Sequence, residues 1–397
     1  MFRLTVYRVK TFNRIAPSGL SLFPTELFSV GPELRNPHAL LLRSHPLSVD
    51  SLHSGLLAIA RAGAGINNIP VDECTKRGIV VFNTPGANAN SVKELVVAAM
   101  LLSSRDVLGG VKFVNEIPKN LQGPAFKQYI EDGKKKYVGR ELKGRVLGIV
   151  GLGAIGATVA NIALAMGMQV LGYDPYLLPP TSPRVPLQVK KLDCLQALFA
   201  QSDIISLHLP ATKDNHGLID RTLLSECERG TVLLNFARSE VVNHNDVLEA
   251  LQTGLLAKYF NDFPMHEYSG HASIYSTPHL GASTVEAEEN SAAMAVTQLI
   301  NFFHHGDTVN SVNFPNVQLE RTRGFRVSLT TLQATNCLSI VLSTLGVAEL
   351  GVEGLNSSRR DAVAYHLIDL DREPSGEQLD KLRAIKRVID VRPIGFA

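Results

Sequence analysis

The sequence predicts an α/β protein: a doubly wound parallel sheet inserted in a smaller α/β unit, followed by a small ferredoxin-like tail. Three observations predict it. Short apolar runs alternate with helical patterns along most of the 397 residues, the pattern of strand–helix crossovers. A glycine turn, Gly151-x-Gly153-x-x-Gly156, sits between one apolar run and an Ala-rich helical segment. Beyond Asn313-Phe-Pro-Asn316 the pattern becomes strand, helix, strand, helix, strand, the order of a small ferredoxin-like module.

The elements follow in order. Residues 2–9 alternate polar and apolar side chains and read as a strand. Further apolar runs at 39–42, 57–60 and 79–82 complete a small α/β domain. Asn83-Thr-Pro-Gly-Ala-Asn-Ala-Asn90 is a turn-forming linker. Ser91 and Glu94 have capping-box spacing and open a long helix with Leu95, Val96, Ala99, Met100 and Leu102 on its apolar face. Residues 110–143, with Lys134-Lys-Lys136, read as a solvated loop. Strands are expected at 146–150, 169–173, 204–209, 231–235, 257–260 and 274–276, and a helix at 285–305. In the tail, strands fall at 325–329, 362–369 and 388–392, and helices at 337–345 and 376–384. Three domains are expected: 1–92 with 285–315 for substrate, 93–284 for a nucleotide, and 320–397 as the tail.

Composition narrows the function. The chain is 45% hydrophobic and 19% charged, with a net charge of +2. That balance suits a globular protein and points to neither nucleic acid nor a membrane surface. Residues 146–173 carry no charge, but they are too rich in glycine and too broken in period for a lipid-facing helix. Cys74, Cys194, Cys227 and Cys337 are too scattered for a metal site or redox pair. Reduced thiols and a cytoplasmic location are expected. The first strand lacks the apolar core of a secretory leader.

The glycine turn carries the most specific chemistry. Gly151 permits a tight turn, Gly153 lets a pyrophosphate approach the backbone, and Gly156 lets helix and strand pack closely. The amides of Ala154 and Ile155 would open the helix, where the dipole favours an anion. Asp174 ends the next strand. It can accept hydrogen bonds from a ribose and repels a 2′-phosphate, so NAD is favoured over NADP. Three segments follow later strands: Asn235-Phe-Ala-Arg238-Ser-Glu240, Asn261-Asp262-Phe-Pro-Met-His-Glu267 and Ser276-Thr-Pro-His279-Leu-Gly-Ala-Ser-Thr284. They offer a guanidinium to clamp a carboxylate, a carboxylate, and an imidazole to pass a proton. These groups suit hydride chemistry on a hydroxy acid.

The fingerprint, Asn235-x-Ala237-Arg238, Asp262-x-x-x-x-Glu267 and the Thr277-Pro-His279-Leu-Gly-Ala-Ser-Thr segment together resemble the NAD-dependent D-2-hydroxyacid dehydrogenases. The resemblance covers nearly the whole chain. Leu41-Leu-Arg43-Ser44, Arg61-Ala-Gly-Ala-Gly65-Ile-Asn-Asn68 and Asn83-Thr-Pro-Gly86 are similar to the branch that oxidises 3-phospho-D-glycerate on the way to serine. The resemblance implies that Arg238 binds the substrate carboxylate and carbonyl, that His279 is the acid–base group, and that Glu267 pairs with it. It implies that the amides of Ala64 and Gly65 hold the carboxylate and that Arg43 and Arg61 take a phosphate. Asp262 would face the nicotinamide carboxamide, and Ala237 and Pro210 to Thr212 would lie near the cofactor. No metal is implied. A homodimer or homotetramer is, with the helix after Ser91 as a dimer face.

Two positions depart from the family pattern: Ser239 where glycine is frequent, and Tyr268 where proline often follows the acid. The tail resembles an ACT domain through Asn356-x-Ser358-Arg359-x-Asp361-x-x-Ala364-Tyr365 and Asp390-Val-Arg392. Its ligand turn reads Thr331-Leu-Gln-Ala-Thr-Asn336 in place of His-x-Asn-x-Pro-Gly, so serine sensing is expected to be weakened. Two rival readings stand beside this one. One is a hydroxypyruvate, glyoxylate or 2-oxoglutarate reductase; the other is an NAD-sensing binding protein like the corepressors that share the fold.

Overall fold

Residues 6–176, 185–321, 324–332 and 336–395 are described by the structure, a computed structural model. Residues 333–335, the middle of the tail's ligand turn, lie outside them. The first sheet contains β1 (Tyr7–Thr11), β2 (Phe28–Gly31), β3 (Ala39–Leu42), β4 (Ala58–Arg61) and β5 (Val80–Phe82). All are parallel, in the order β2-β1-β3-β4-β5. β3 is Ala-Leu-Leu-Leu and buried at every position, as expected of a parallel strand covered on both faces. The helix Val285–His305 covers one face, packing Ala295, Leu299 and Phe303 against Val9, Leu41 and Ala60. Leu40, Leu42, Ile59 and Val81 pack on the other side against Leu52, Ile69 and Cys74. β2 was not expected. Four residues ending in Gly31 are too short to show a period of two.

The second sheet contains β6 (Val146–Val150), β7 (Gln169–Tyr173), β8 (Lys190–Lys191), β9 (Ile204–Leu207), β10 (Thr231–Asn235), β11 (Leu256–Asn261) and β12 (Ile274–Ser276). Its order is β12-β11-β10-β9-β6-β7-β8. The chain winds outward through β7 and β8, then crosses back to β9 and winds the other way. This is the doubly wound sheet, with its reversal between β6 and β9.

Two local expectations are corrected here. Residues 110–143 are largely helical: Val107–Asn115 is capped by Asp106, which accepts from the Gly109 amide at 2.9 Å, and Gly123–Lys134 follows. The charge run is a solvated helical end. Lys134 pairs with Glu131 and Lys135 with Asp132 one turn back, the i,i+3 spacing that supports a helix. Nor does Ser91 cap its helix, which begins at Ala89. Its hydroxyl donates instead to Gly281 O at 2.8 Å.

The tail contains β13 (Phe325–Leu332), β14 (Val352–Arg360), β15 (Val363–Leu370) and β16 (Val388–Ile394), antiparallel in the order β14-β15-β13-β16. With helices Cys337–Val347 and Gly376–Arg383 it makes a ferredoxin-like βαββαβ unit. β14 was missed because it is an exposed edge strand with little apolar alternation. One face of the sheet packs Val327, Leu329 and Ile368 on its own helices through Val341, Leu345 and Leu382. The other face adds Tyr365, Leu367 and Ile394 to the core of the first sheet. The first and third sheets thus share a compact unit, 1–88 with 285–397, and the second forms its own, 89–284. Among the described residues no helix is long and apolar enough to cross a membrane.

A buried ion pair ties the tail down. Arg326 is fully buried and grips Asp369 with two bonds, Nε to Oδ1 at 2.6 Å and Nη2 to Oδ2 at 2.8 Å. Its Nη1 donates to His305 O and Leu319 O at 2.9 and 2.8 Å, satisfying a carbonyl that a helix end leaves open. Arg326→Leu would strand the Asp369 carboxylate in the interior. It is expected to cost about 3–5 kcal/mol, read as a lowered urea midpoint. His366 in β15 shares its two ring nitrogens with Thr331 and Ser357 hydroxyls. Burial pushes its pKa down from 6.5 to about 4. The folded state therefore prefers the neutral ring, and this stability is complete above pH 6.5 and lost as pH falls from 6.5 toward 4. The loss amounts to roughly 3 kcal/mol. Urea midpoints at pH 7 and pH 4.5 should converge in His366→Asn relative to the parent chain.

Candidate active site

The glycine turn lies at the carboxyl end of β6, beside the reversal of strand order. Gly151 has φ +93°, and a Cβ there would meet His208 O at 2.5 Å. A Cβ on Gly156 would strike Gly151 O at 1.9 Å. Gly153 is different: a Cβ there would meet nothing within 4 Å. Protein packing explains two of the glycines, and the third leaves open space over the start of the helix Ala154–Ala165. The amides of Ala154 and Ile155 have no acceptor among the described residues. Asp174 accepts from Leu152 N at 2.9 Å and Tyr176 N at 3.0 Å, one bond per oxygen, so each oxygen keeps a lone pair. His208 follows β9 on the opposite side of the turn. Burial pushes its imidazole down to about 4, and its Nδ1 is buried without a hydrogen-bond partner. A free helix start, an open glycine, a half-buried acid and an orphaned polar atom fit a dinucleotide. Pro210 and Thr212 lie in the exposed turn after β9, with Thr212 N bonded to Pro210 O at 3.1 Å.

The remaining groups line up along the same edge because their strands are neighbours. Arg238 follows β10, Asp262 and Glu267 follow β11, and His279 follows β12. Asn235 is fully buried and builds the Arg238 turn. Its Oδ1 accepts from Ala237 N at 3.1 Å, and its Nδ2 donates to Arg238 O at 2.9 Å. Arg238 Nη1 donates to Ala237 O at 2.6 Å, and no ion pair engages the guanidinium among the described residues. Ser239 donates its hydroxyl to Glu240 at 2.9 Å, which gives a use to one departure from the family pattern.

His279 is exposed and sits at φ +58°, a left-handed conformation that a side chain adopts at a cost. Asp262 holds it there. Oδ1 accepts from Thr277 Oγ1 at 2.6 Å and Leu280 N at 2.7 Å, and Oδ2 accepts from Gly281 N at 2.7 Å. Both oxygens of Asp262, expected near the nicotinamide, are thus directed into the His279 turn. The pairing expected between Glu267 and His279 is not seen. Glu267 is exposed on the turn His266–Tyr268 and bonds to no imidazole, while the Phe263 ring stands edge-on to His279 with centroids 5.3 Å apart. Tyr268, buried next to Glu267, draws that turn inward.

In the other unit, Leu42 and Arg61 are register partners, so Arg43 and Arg61 emerge together at the ends of β3 and β4. Arg61 Nε donates to Arg43 O at 2.9 Å. Arg43 is not a free cation: it pairs with Glu288 at 2.5 Å. The amides of Ala64 and Gly65 donate to no acceptor among the described residues, and Ala64 O is held by Asn83 Nδ2 at 2.7 Å.

Residues 107–283 match the family described as "D-isomer specific 2-hydroxyacid dehydrogenase, NAD binding domain". Residues 107–283 thus belong to the D-isomer specific 2-hydroxyacid dehydrogenases. NAD is accordingly their cofactor. Among curated relatives, the D-3-phosphoglycerate dehydrogenase of Bacillus subtilis is 33% identical over 292 residues, 71% of this chain and 53% of the relative. The human protein of the same name is 30% identical over 293 residues, 71% and 51% of the two chains. The matched part thus spans about half the length of these relatives. The solved NAD-bound 3-phosphoglycerate dehydrogenase of Entamoeba histolytica superposes with a TM-score of 0.62 at 25% identity, covering 79% of this chain and 100% of that one. The Rhodotorula graminis D-mandelate dehydrogenase shares the fold, with a TM-score of 0.66 at 22% identity over 80% of this chain and 100% of that chain.

Sequence reasoning found the groups that protrude and missed several that hold them. Asn235 as the builder of the Arg238 turn was readable, because an Asn two residues before a turn amide is a recurrent local closure. Phe263 and the orphaned His208 nitrogen carried no signal in sequence. The glycine geometry gives a direct test. Gly153→Val should keep the melting temperature and abolish NADH binding measured by fluorescence. Gly156→Val should lose both, because its side chain collides with backbone.

Proposed function

We propose that the protein oxidises 3-phospho-D-glycerate to 3-phosphohydroxypyruvate with NAD. The observation that carries this reading is the order of groups along one sheet edge: imidazole, carboxylate, guanidinium, then the nucleotide turn and its acid. Arg238 pairs with the substrate carboxylate and orients the adjacent oxygen. In the other unit, the amides of Ala64 and Gly65, which meet no acceptor among the described residues, are open to a carboxylate. Arg43 and Arg61 take the phosphate, a doubly charged group that competes with Glu288 for Arg43. His279 takes the hydroxyl proton, and returns it in the reverse direction. Glu267, on the neighbouring turn, supplies a negative field in which an imidazolium is stabilised. When bound, NAD would supply the acceptor for the hydride of the carbon that carries the hydroxyl. Proton and hydride together account for the two hydrogens lost by the alcohol.

The names of the relatives support the phosphorylated substrate, as do the paired arginines. Residues 1–92 with 285–315 act as the substrate domain, and residues 320–397 as an ACT-like regulatory or assembly domain of a homo-oligomer. The ferredoxin-like topology supports that assignment. All four cysteines are free thiols, which supports a cytoplasmic setting.

NADH formation from 3-phospho-D-glycerate at alkaline pH, with the product trapped, tests the reading. His279→Ala should lower turnover on the order of 10²–10⁴-fold. Arg43→Gln should raise KM for the phosphorylated acid and leave glyoxylate and hydroxypyruvate reduction unchanged. Activity confined to those smaller acids would move the substrate and keep the chemistry. Silence with every 2-oxo acid, despite NADH binding, would make the protein an NAD sensor.

A further inference from the structure

Glu288 stands in the first turn of the helix Val285–His305, where its carboxylate occupies Arg43. Arg43 Nη1 and Glu288 Oε1 are 2.5 Å apart, and the two side chains are 33% and 43% exposed. The pair is therefore open to any anion that reaches Arg43. Its two backbones are held in place. Arg43 O accepts from Arg61 Nε at 2.9 Å and from Asn68 Nδ2 at 3.2 Å. The next two amides, of Ser44 and His45, donate to Asn13 Oδ1 at 3.1 and 2.8 Å. On the other side the helix packs so closely that a Cβ on Gly19 would lie 2.5 Å from Ala292 Cβ. Its far end is tied to the tail, where Arg392 donates to Phe302 O at 2.8 Å and Arg321 to His304 O at 3.0 Å. Exchange of partners thus falls to the two long side chains.

A carboxylate tethered in this way is a standing competitor for Arg43. Its local concentration is at least on the order of millimolar, as for a group on a short linker. Arg43 and Arg61 carry two positive charges, and Glu288 cancels one. A phosphate seated at Arg43 must displace this carboxylate and then remain near it. That cost falls only on acids with a second anion. An unphosphorylated 2-oxo acid has nothing to place at Arg43 and escapes it. The carboxylate end is separate. The amides of Ala64 and Gly65, in the same compact unit, meet no acceptor among the described residues. One part of the unit is thus open to any acid, and another makes a phosphate compete for its cation.

We propose that Glu288 is a specificity-determining residue, a built-in counter-ion that weakens the hold on the substrate's phosphate and narrows the preference for phosphorylated over unphosphorylated 2-oxo acids. This role rests on the reading of Arg43 and Arg61 as phosphate ligands. Glu288→Gln keeps the shape of the side chain and removes its charge. Glu288→Ala removes the contact as well. Glu289, the next residue, is exposed, and Arg43 pairs with Glu288 rather than with it. Glu289→Gln therefore removes a charge from the same helical turn and leaves the pair intact.

The experiment is steady-state reduction by NADH of 3-phosphohydroxypyruvate and of hydroxypyruvate, the same acid without its phosphate, with the full chain at constant ionic strength. Inorganic phosphate is added as an inhibitor competing with the phosphorylated acid. Glu288→Gln is expected to lower the KM for the phosphorylated acid and the phosphate inhibition constant about three- to fivefold, the upper range for a partly exposed pair. Glu288→Ala should shift both at least as far. The KM for hydroxypyruvate should stay the same, so the preference for the phosphorylated acid rises by the same factor. Glu289→Gln should match the parent. In an Arg43→Gln background most of the gain should vanish, because it acts through Arg43. Unchanged constants for the phosphorylated acid and for phosphate in both Glu288 variants would overturn the proposal. So would an equal shift in Glu289→Gln, or a full gain without Arg43, since either makes the effect a general field. If Arg43→Gln leaves the KM for the phosphorylated acid unchanged, or the parent reduces no 2-oxo acid, the phosphate reading fails and this role with it. A raised KM in Arg43→Gln beside inert Glu288 variants removes the role of Glu288 alone.

Discussion

Parallel pairing is the constraint on which the site depends. Strands that all run one way must return by crossovers, so every segment that follows a strand emerges at the same edge. In the second sheet this places the turns after β12, β11, β10, β9, β6 and β7 side by side in that order. His279, Glu267, Arg238, His208, Gly151 and Asp174 are scattered over more than a hundred residues of chain. In the fold they occupy successive positions roughly 5 Å apart along the ladder. The reversal between β6 and β9 opens the crevice in which a nucleotide can lie.

Around that edge, exposed groups are held by buried ones. His279 adopts a left-handed conformation that only the surrounding structure can maintain, and the three hydrogen bonds to Asp262 maintain it. Arg238 extends from a turn closed by a fully buried Asn235. Gly281, bonded to Asp262 through its amide, is bonded through its carbonyl to Ser91 at the start of the preceding long helix. The tail follows the same logic by other means: Arg326 and Asp369 pair inside the protein and pin the sheet to the end of the helix Val285–His305. Satisfied buried polar groups specify one geometry, because any rearrangement leaves a donor or acceptor unpaired.

The inner strands of the second sheet were readable because a buried parallel strand is a continuous apolar run, whereas β8, two exposed lysines at the edge, was not expected; the glycine turn was readable because two of its glycines meet local steric limits. Elements with weak periodicity were not. β2 is too short, and β14 is an exposed edge strand whose side chains face water. The segment 110–143 appeared as a solvated loop because its charges dominate the pattern, yet those charges pair at helical spacing. Ser91 and Glu94 satisfied a capping rule by spacing alone, and a tertiary partner, Gly281, took the hydroxyl.

The sequence by itself determined the α/β class, the nucleotide turn with its acid, and the chemical groups available to act, because these depend on short-range patterns and residue types. Only the tertiary structure decided how those groups are used. Asp262 turned inward to hold His279, Arg43 paired with Glu288 from a distant helix, and Tyr268 bonded to His244 with its ring edge-to-face on Tyr259. Each of these depends on a partner far away in the chain. The orientation of a buried hydrogen bond is set by every neighbour at once, and spacing along the sequence carries no information about that.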